Sequence, residues 1–432
     1  MSPQFWEEYT SKMDLLKTDN TLLTSSTSFN YKLVWERIWP MNPETQGANE
    51  IAIDSNDNIY QVGYSILEQW KPNIGTISEV EVLLIKSNKS SDVLWSRTWG
   101  YDESEYGRDV AVDSNDNIYV CGLSTNFETG YRDMFIVKFD SLGNELWNQT
   151  WGKLDFASGE AIAIDSEDNI YFVGQGNNEG STTGIILIKY NSSGSILWER
   201  IWDSYRYEWA EDVCVDSQDN IYITGHKNYD ILLIKYDSNG TGIWSKTCSQ
   251  GDYAYGLAVD SDSDNNIYIG GVIDNYYSGD VKSNLILMKY NSSGHQLWNV
   301  TCNEGDETVC YDLVIDSNGF VFLSGNLMEG DVQEYVYVSI YDWQGNLLWN
   351  VTWGDSILSY GFGINVDSKG NIYVSGYTII HQGVYDETLL LKYSKKETSK
   401  IPFIPGYNQL FLIGLFFFSL IYVIKKKIIN PK

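Results

Sequence analysis

The chain has 432 residues with 58 acidic and 29 basic side chains, so its formal charge at pH 7 is −29. Because a protein that binds phosphates needs a basic face, this charge argues against a nucleic-acid partner. The five cysteines include no C-x-x-C pair, which excludes a disulfide scaffold and a zinc module. Cys302 and Cys310 flank a short acidic loop, where a disulfide and two unpaired buried thiols are both open interpretations.

A repeat of about 52 residues follows an unassigned leader at residues 1–27. Each copy reads Asp-Ser-x-x-Asn-Ile-Tyr or a close variant, then an apolar stretch that ends in Gly, and later a Leu-Trp pair or similar. A period in this range is typical of solenoids and propellers. The aspartates that we take to anchor the copies are Asp54, Asp113, Asp165, Asp216, Asp260, Asp316 and Asp367.

Each copy contains four strand signatures. The first precedes the aspartate, as in Ile51–Ile53, and the second follows it, as in Asn58–Gly63. The third is apolar and ends in Lys-Tyr, as in Ile185–Tyr190, and the fourth holds two tryptophans, as in Trp95 and Trp99. Short runs rich in Val, Ile, Tyr and Trp between Asn, Asp, Gly and Ser indicate strands. Four strands without a helical period predict one propeller blade, and seven copies predict seven blades.

The two ends of the repeat region complement each other. Leu33–Trp39 is a lone fourth strand, and the last copy stops after a third strand at Leu389–Tyr393. Pairing the two removes an open sheet edge. The sequence therefore predicts an all-β, seven-bladed β-propeller over residues 28–394, closed when strand 33–39 pairs with the last blade.

The repeat carries a family resemblance. The pattern I-A-V-D-S-x-x-N-I-Y-V-x-G, followed by L-I-K-Y-x-x-x-G-x-x-L-W, resembles the SBBP repeat family of seven-bladed propellers. This resemblance implies an exported or surface protein of prokaryotes, mostly without an assigned reaction. The segment Ile404–Tyr407 (IPGY) is similar to C-terminal sorting or anchoring signals of archaeal surface proteins, especially those of Loki-type archaea.

The C-terminal tail differs in composition from the repeats. Leu410–Ile424 is apolar apart from Ser419, and Lys425–Lys427 follow directly. With Phe403 and Ile404 the stretch approaches the roughly 20 residues that cross a bilayer. We expect a linker at 395–404 and a transmembrane helix with a basic stop at 405–432. The protein would then span the membrane once, with an extracellular propeller. The alternative is a buried globular helix.

One face of the predicted ring carries loops that vary between copies and are rich in aromatic residues. Variable loops on a rigid scaffold commonly bind ligands, and Tyr and Trp suit glycans or a protein partner. The alternative is that these rings only cover the blade ends. The candidates for this binding face are Trp70, Tyr106, Tyr131, Phe156, Tyr205, Tyr207, Trp209, Tyr253, Tyr255, Tyr276, Tyr277, Tyr360 and Tyr385.

Acidic residues recur just before the first strand of a blade, which lines the channel of a propeller. Glu50, Asp109, Asp212 and Asp312 are therefore candidates for a ring at the channel mouth that binds a cation, or else for solvated strand ends. A weak calcium candidate is the series Asp260, Asp262 and Asp264. A calcium loop also needs Gly at its sixth position and Glu at its twelfth, and here these are Asn265 and Gly271. We expect no other cofactor.

No catalytic motif occurs in the sequence, neither a Ser-His-Asp order nor H-E-x-x-H. We therefore expect a membrane-anchored binding or adhesion module for glycan or protein partners, without catalysis. The alternatives are a quinone-type oxidoreductase, a polysaccharide lyase or hydrolase with its site at the channel mouth, and a structural envelope protein. Charged residues that converge in the channel with one desolvated carboxylate would favour an enzyme, and a broad aromatic face would favour binding.

Overall fold

The computed structural model describes residues 29–39, 46–71, 75–100, 104–126, 129–178, 181–202, 207–277, 280–330, 333–354, 358–379 and 386–396. Within these residues the chain forms 28 strands. In chain order they are β1 (Tyr31–Trp39), β2 (Gln46–Ile53), β3 (Ile59–Lys71), β4 (Gly75–Ser87), β5 (Val93–Trp99), β6 (Ser104–Val112), β7 (Ile118–Thr125), β8 (Arg132–Phe139), β9 (Glu145–Trp151), β10 (Phe156–Ile164), β11 (Ile170–Asn177), β12 (Gly184–Tyr190), β13 (Ile196–Trp202), β14 (Glu208–Val215), β15 (Ile221–Lys227), β16 (Asp230–Tyr236), β17 (Gly242–Cys248), β18 (Tyr253–Ser261), β19 (Ile267–Tyr277), β20 (Asp280–Tyr290), β21 (Gln296–Cys302), β22 (Glu307–Ile315), β23 (Val321–Glu329), β24 (Gln333–Tyr341), β25 (Leu347–Trp353), β26 (Leu358–Val366), β27 (Ile372–Ile379) and β28 (Asp386–Lys395).

Consecutive strands pair in antiparallel sets of four, and each set is one blade. Blades one to six are β2–β5, β6–β9, β10–β13, β14–β17, β18–β21 and β22–β25, and blade seven is β26–β28 with β1. Single parallel bridges, Arg132 with Phe156 and Glu334 with Leu358, join blade two to blade three and blade six to blade seven. The second strands are apolar on both faces, because a neighbouring blade covers each side.

The ring is closed by the two ends of the repeat region. β1 pairs with β28 from Tyr31 opposite Lys395 to Trp39 opposite Thr388, with a bulge between Leu33 and Trp35. The expected pairing of strand 33–39 with the last blade is therefore present, and the strand begins two residues earlier than predicted. Because β1 supplies the outer strand, blade seven has four strands like the other blades.

The hydrophobic core lies between blades. One cluster joins Tyr119 and Met134 of blade two to Ile162 and Phe172 of blade three. The recurrent tryptophans complete these interfaces at the rim, because the Nε1 of Trp147 donates to the Ser192 carbonyl of the next blade at 3.2 Å.

One turn shows how closely neighbouring blades approach. Gly194 lies over the same Trp147 ring, and a Cβ atom at Gly194 would lie 2.9 Å from the ring. Its φ of +83° also favours glycine, so any side chain here would be both strained and in collision.

The turn between the first and second strands is built on its aspartate. Asp113 accepts hydrogen bonds from the backbone N–H groups of Asn115 and Asn117 at 2.9 Å and from the Asn117 amide at 2.8 Å. The Tyr119 hydroxyl and the Lys138 ammonium reach the same carboxylate at 3.1 and 3.2 Å. The recurrent Asp, Asn, Tyr and Lys of the sequence pattern are thus one hydrogen-bonded unit.

The fifth copy corrects one of the aspartates that we took as anchors. There Asp262, and not Asp260, accepts from the Tyr268 hydroxyl at 3.1 Å and pairs with Lys289 at 3.2 Å. The two-residue insertion in this copy places Asp260 within β18 and moves the turn forward. We call Asp54, Asp113, Asp165, Asp216, Asp262, Asp316 and Asp367 the turn aspartates.

The predicted fold class is wrong in its last component. The described residues form strands and turns without any helix, and none of their segments is a helix that is long and apolar enough to cross a membrane. The helix was predicted for 405–432, which lies outside the described residues, as do 1–27 and the IPGY segment. That prediction depended on the composition of a single apolar run, whereas each strand is fixed by repetition and by pairing partners. Over the described residues the fold class is an all-β propeller.

Candidate functional site at the channel mouth

A bulge interrupts the first strand of every blade. At each bulge one residue, or two in blade seven, has no partner on the second strand. Bulges bend a strand and re-aim a side chain, here toward the axis of the ring. The bulged residues line a channel cavity of about 530 Å³. They are Asn49, Arg108, Glu160, Glu211, Leu257, Tyr311 and Phe362, and we call this ring the mouth.

The mouth is divided into two halves of different chemistry. Blades two to four contribute the charged residues Arg108, Glu160 and Glu211, which we call the polar half. Blades five to seven contribute an apolar and an aromatic set, Leu257, Tyr311 and Phe362, which we call the aromatic half. A bulge at the same place in the first strand presents each of these residues, so the asymmetry comes from the side chains.

The polar half holds one ion pair and one contact between a carboxyl group and an imidazole. The Nε of Arg108 lies 3.6 Å from a Glu160 carboxylate oxygen, and Glu160 also accepts from the Gln175 amide at 2.7 Å. A Glu211 oxygen lies 3.7 Å from the Nδ1 of His226. Burial, and then the Glu160 charge, raises the pKa of Glu211 to about 8 against the opposing effect of Arg108. Burial lowers the pKa of His226 to about 4, so the imidazole is neutral at pH 7.

Aromatic rings surround both halves. His226 stacks on Trp209 with ring centroids 6.0 Å apart and meets the edge of Tyr255 at 4.8 Å. On the other side, Phe362 stacks on Tyr360 at 5.8 Å and contacts Tyr311 at 4.9 Å. These contacts fix the rings in place, which lowers the entropy lost when a ligand binds.

The four predicted channel acids come together directly below the mouth. Each carboxylate bonds the N–H of the residue that follows it, at 2.5–2.8 Å. Three of them also accept an N–H from the first strand of the next blade: Asp109 from Ile162, Asp212 from Val259 and Asp312 from Ile364, each at 2.7 Å. These carboxylates therefore join neighbouring blades, an arrangement that neither of our interpretations anticipated.

Asp260 is a fifth member of this group. It bonds the N–H of Ser261 at 2.7 Å and that of Ile315, in the next blade, at 2.9 Å. The channel acids are thus Glu50, Asp109, Asp212, Asp260 and Asp312.

The channel acids are harder to ionise than ordinary carboxyls. Burial raises the pKa of Asp109 and Asp260 to about 6 and that of Asp312 to about 7. Burial and the neighbouring charge of Asp312 raise the pKa values of Glu50 and Asp212 well above the ordinary range. The bonds from backbone N–H groups favour the ionised form but do not outweigh these effects.

The calcium candidates do not converge. Asp260 faces the channel, Asp262 lies within its turn, and the backbone N–H of Asp264 donates to Asp262 at 3.0 Å. Among the described residues no group of three or more His, Cys, Asp or Glu side chains could hold a metal ion.

The other binding-face candidates either do not line the cavity or lie outside the residues that the structure describes. Tyr131 and Tyr207 are more than half exposed, and Tyr253 meets the ring of Tyr229 edge-on at 4.5 Å. Trp70 lies one residue before the end of β3, and Tyr276 and Tyr277 are the last two residues of β19. The structure does not describe the side chains of these three residues. Tyr205 and Tyr385 lie outside the described residues.

Sequence reasoning missed all seven residues of the mouth and several of the rings beside it. His226, Tyr64 and Tyr377 each follow the recurrent Gly of the second strand, and that position was a usable signal. Tyr64 contacts Tyr106 at 6.0 Å, and Tyr377 contacts Tyr360 at 4.9 Å. The bulged residues gave no such signal, because a bulge breaks the alternation on which strand predictions depend.

Comparisons with known proteins match the fold. A family model described as a β-propeller repeat (SBBP) matches residues 100–128. An uncharacterised WD-repeat-containing protein of Acanthamoeba polyphaga mimivirus is 24% identical over 217 residues, which cover 38% of this chain and 15% of the viral protein. The chain thus spans well under a fifth of that relative's length.

Two solved structures resemble this one. A virginiamycin B lyase from Staphylococcus aureus, with quinupristin, aligns with a TM-score of 0.55 and 10% identity over 84% of this chain and 99% of that chain. The β-propeller domain of the Trilobed protease from Pyrococcus furiosus aligns with a TM-score of 0.46 and 11% identity over 83% and 99%. At 10% identity the likeness to the lyase shows the fold alone. The chain is a β-propeller repeat protein, and the fold leaves binding and catalysis both open.

Proposed function

We propose that the protein is a binding module that holds the end of a glycan in the mouth of its channel. The observation that carries this proposal is the divided mouth, with Tyr311 and Phe362 on one side and Arg108, Glu160 and Glu211 on the other. A sugar ring has apolar faces that stack on aromatic rings and hydroxyl groups that bond charged side chains. Both kinds of group lie around one cavity.

The shape of the site favours an inserted ligand over a flat protein partner. A cavity of about 530 Å³ falls within the usual range of small-molecule sites. The channel is walled by the first strands of all seven blades, so a chain end can enter where a broad protein surface would meet only the rim.

A glycan screen of the full-length protein tests this proposal. We expect hits that weaken by roughly tenfold in Phe362→Ala, because the substitution removes a ring face that the ligand would cover. The matched control is Trp343→Ala, which removes a ring that is 56% exposed in a turn between a third and a fourth strand, on the opposite face. Absence of glycan hits, or equal effects of both substitutions, would contradict the proposal.

Acid–base catalysis at the same mouth is a second candidate, favoured by one observation. Glu211 is a desolvated carboxyl that stays protonated near pH 7, and the neutral His226 lies 3.7 Å away. Such a pair can donate one proton and accept another. Mass spectrometry of glycans after incubation tests this candidate. Products that form with the wild type and not with Glu211→Gln would favour an enzyme.

A further inference from the structure

We infer that the ring opens reversibly between blade seven and blade one, because polar side chains occupy the core of this interface. We call it the seven–one interface, and it joins the last blade of the chain to the first. Its buried apolar cluster consists of Ile51 and Ile59 of blade one with Tyr373 and Leu390 of blade seven. This opening does not depend on what the mouth binds.

The first support is that three core positions of the seven–one interface are polar, although each is at most 1% exposed. They are Gln61 and Ser87 of blade one and Thr388 of blade seven. Between blades one and two the same positions hold Val120, Phe139 and Val82, which belong to one apolar cluster. The remaining five interfaces also have an apolar or aromatic residue at each position. Because apolar burial is the main force that holds the blades together, the seven–one interface is the weakest of the ring.

The second support is that several polar atoms of this interface have no partner. The Nε2 of Gln61 donates to the Leu389 carbonyl of blade seven at 2.9 Å. The Oε1 of Gln61 and the hydroxyl oxygens of Ser87, Ser375 and Thr388 are buried without a hydrogen bond to any described residue. An unpaired buried polar atom destabilises the closed interface, and opening allows water to supply the missing bonds.

The third support is a strained turn at the outer end of this interface. Ser91 has a φ of +69°, and Gly143 holds the same turn position in blade two with a φ of +80°. Blades three to six also have glycine there, and a side chain raises the cost of this conformation. The Nζ of Lys392, in blade seven, donates to the Lys89 carbonyl of this turn at 3.0 Å. The strained turn therefore belongs to the seven–one interface.

Opening at the seven–one interface would widen the channel mouth. Asn49 of blade one and Phe362 of blade seven are the mouth residues on its two sides. A bond from the Tyr64 hydroxyl to the Asp386 carboxylate, at 2.9 Å, crosses this interface. The bond is only partly buried, so water can replace it when the blades separate. The separation would admit ligands that are wider than the closed mouth.

Thiol labelling of the folded, full-length protein tests this inference. Ser375→Cys places a thiol at the seven–one interface, at the strand position that Cys121 occupies between blades two and three. Ser324→Cys is the matched control, because Ser324 holds the same position between blades six and seven and is 1% exposed. A buried thiol reacts only when its interface opens, and mass spectrometry of peptides gives the rate at each cysteine. We expect the Ser375→Cys thiol to react roughly tenfold faster than the other two, the effect of one unpaired buried polar group.

A second substitution tests whether the polar core causes the opening. Gln61→Val introduces the residue type that blade two has in Val120, and it removes the unpaired amide oxygen. It should slow the labelling of the Ser375→Cys thiol by roughly fivefold and leave the rate at Cys121 unchanged. Ser87→Cys replaces Ser375→Cys if the latter does not fold. Equal rates at the seven–one interface and at the two reference thiols, or a rate that Gln61→Val does not change, would overturn the inference.

Discussion

Two sets of carboxylates occupy the same repeat and behave in opposite ways. Asp113 begins the turn after the first strand of blade two, and Asp109 lies four residues earlier in that strand. Burial raises the pKa of Asp109 to about 6. Burial also acts to raise that of Asp113, but the bonds from Asn117, Asn115 and Lys138 outweigh it and lower the pKa.

The difference lies in what each carboxylate faces. Asp113 meets a side-chain amide, two backbone N–H groups, a hydroxyl and an ammonium, so its charge is fully compensated. Asp109 meets two backbone N–H groups and a channel lined with other acids. The turn aspartates stabilise the fold, whereas the channel acids reduce stability near neutral pH. Such a cost is common at functional sites.

The largest effect on stability should follow from removing a turn aspartate. Asp113→Ala removes the acceptor of several donors and leaves the Lys138 ammonium, whose side chain is 7% exposed, without its partner. We expect a loss of about 3–5 kcal/mol in the free energy of unfolding, measured with urea. Asp140→Ala, in an exposed turn, is the control and should cost far less. Similar losses in the two variants would contradict the distinction.

The channel acids should make the protein more stable as the pH falls. The folded pKa values of the channel acids Asp109 and Asp312 are about 6 and 7, and that of Glu211 in the mouth is about 8, all above those of the unfolded chain. The native state therefore binds more protons, and stability rises as the pH falls from about 8 toward 4, by at least about 2 kcal/mol.

The turn aspartates determine the pH below which the stability decreases again. The pKa values of Asp54, Asp113, Asp165, Asp262 and Asp367 are lowered, so the stabilisation by these carboxylates is present above the unfolded pKa and is lost as the pH falls below about 4. Urea unfolding from pH 3 to pH 8 should give a maximum near pH 4 to 5. A maximum at neutral pH would contradict the opposite signs of the two sets.

The smallest effect should come from a bond between neighbouring turns. The backbone N–H and hydroxyl of Ser55 donate to the Asp116 carboxylate of the next blade at 3.0 and 2.9 Å. Asp116 has φ +59°, and Gly319 and Gly370 hold the matching position in blades six and seven. Asp116→Gly should cost about 1 kcal/mol, since it loses the bonds but relieves the left-handed backbone. Asp116→Asn should cost less, because Asn265 accepts the same bonds in blade five.

The turns between the first and second strands were predictable because their sequence repeats in each copy. Asp, Asn, Tyr and Lys recur in step, and the N-terminal strand matches the strand that the last copy lacks. Repetition failed in blade five, where an insertion exchanged the roles of Asp260 and Asp262, and in the tail, which has no repeat to align.

None of the mouth residues was predicted, whereas some of the rings beside the mouth were. Trp209, Tyr255 and Tyr360 were found because they stand at the start of first strands. Glu211, Tyr311 and Phe362 were missed, because a bulge turns them toward the channel and the residue type at this position varies between copies. The pairing of His226 with Glu211 depends on two strands and cannot be inferred from either one.

Carboxyl ¹³C NMR of the full-length protein across pH 3 to 9 tests the central claim most directly. We predict one set of aspartates, with Asp113 among them, that titrates below pH 4 and a second set of carboxyls, with Asp109 among them, that titrates at pH 6 or above. If every carboxyl titrates below pH 5, the distinction between the channel acids and the turn aspartates is wrong.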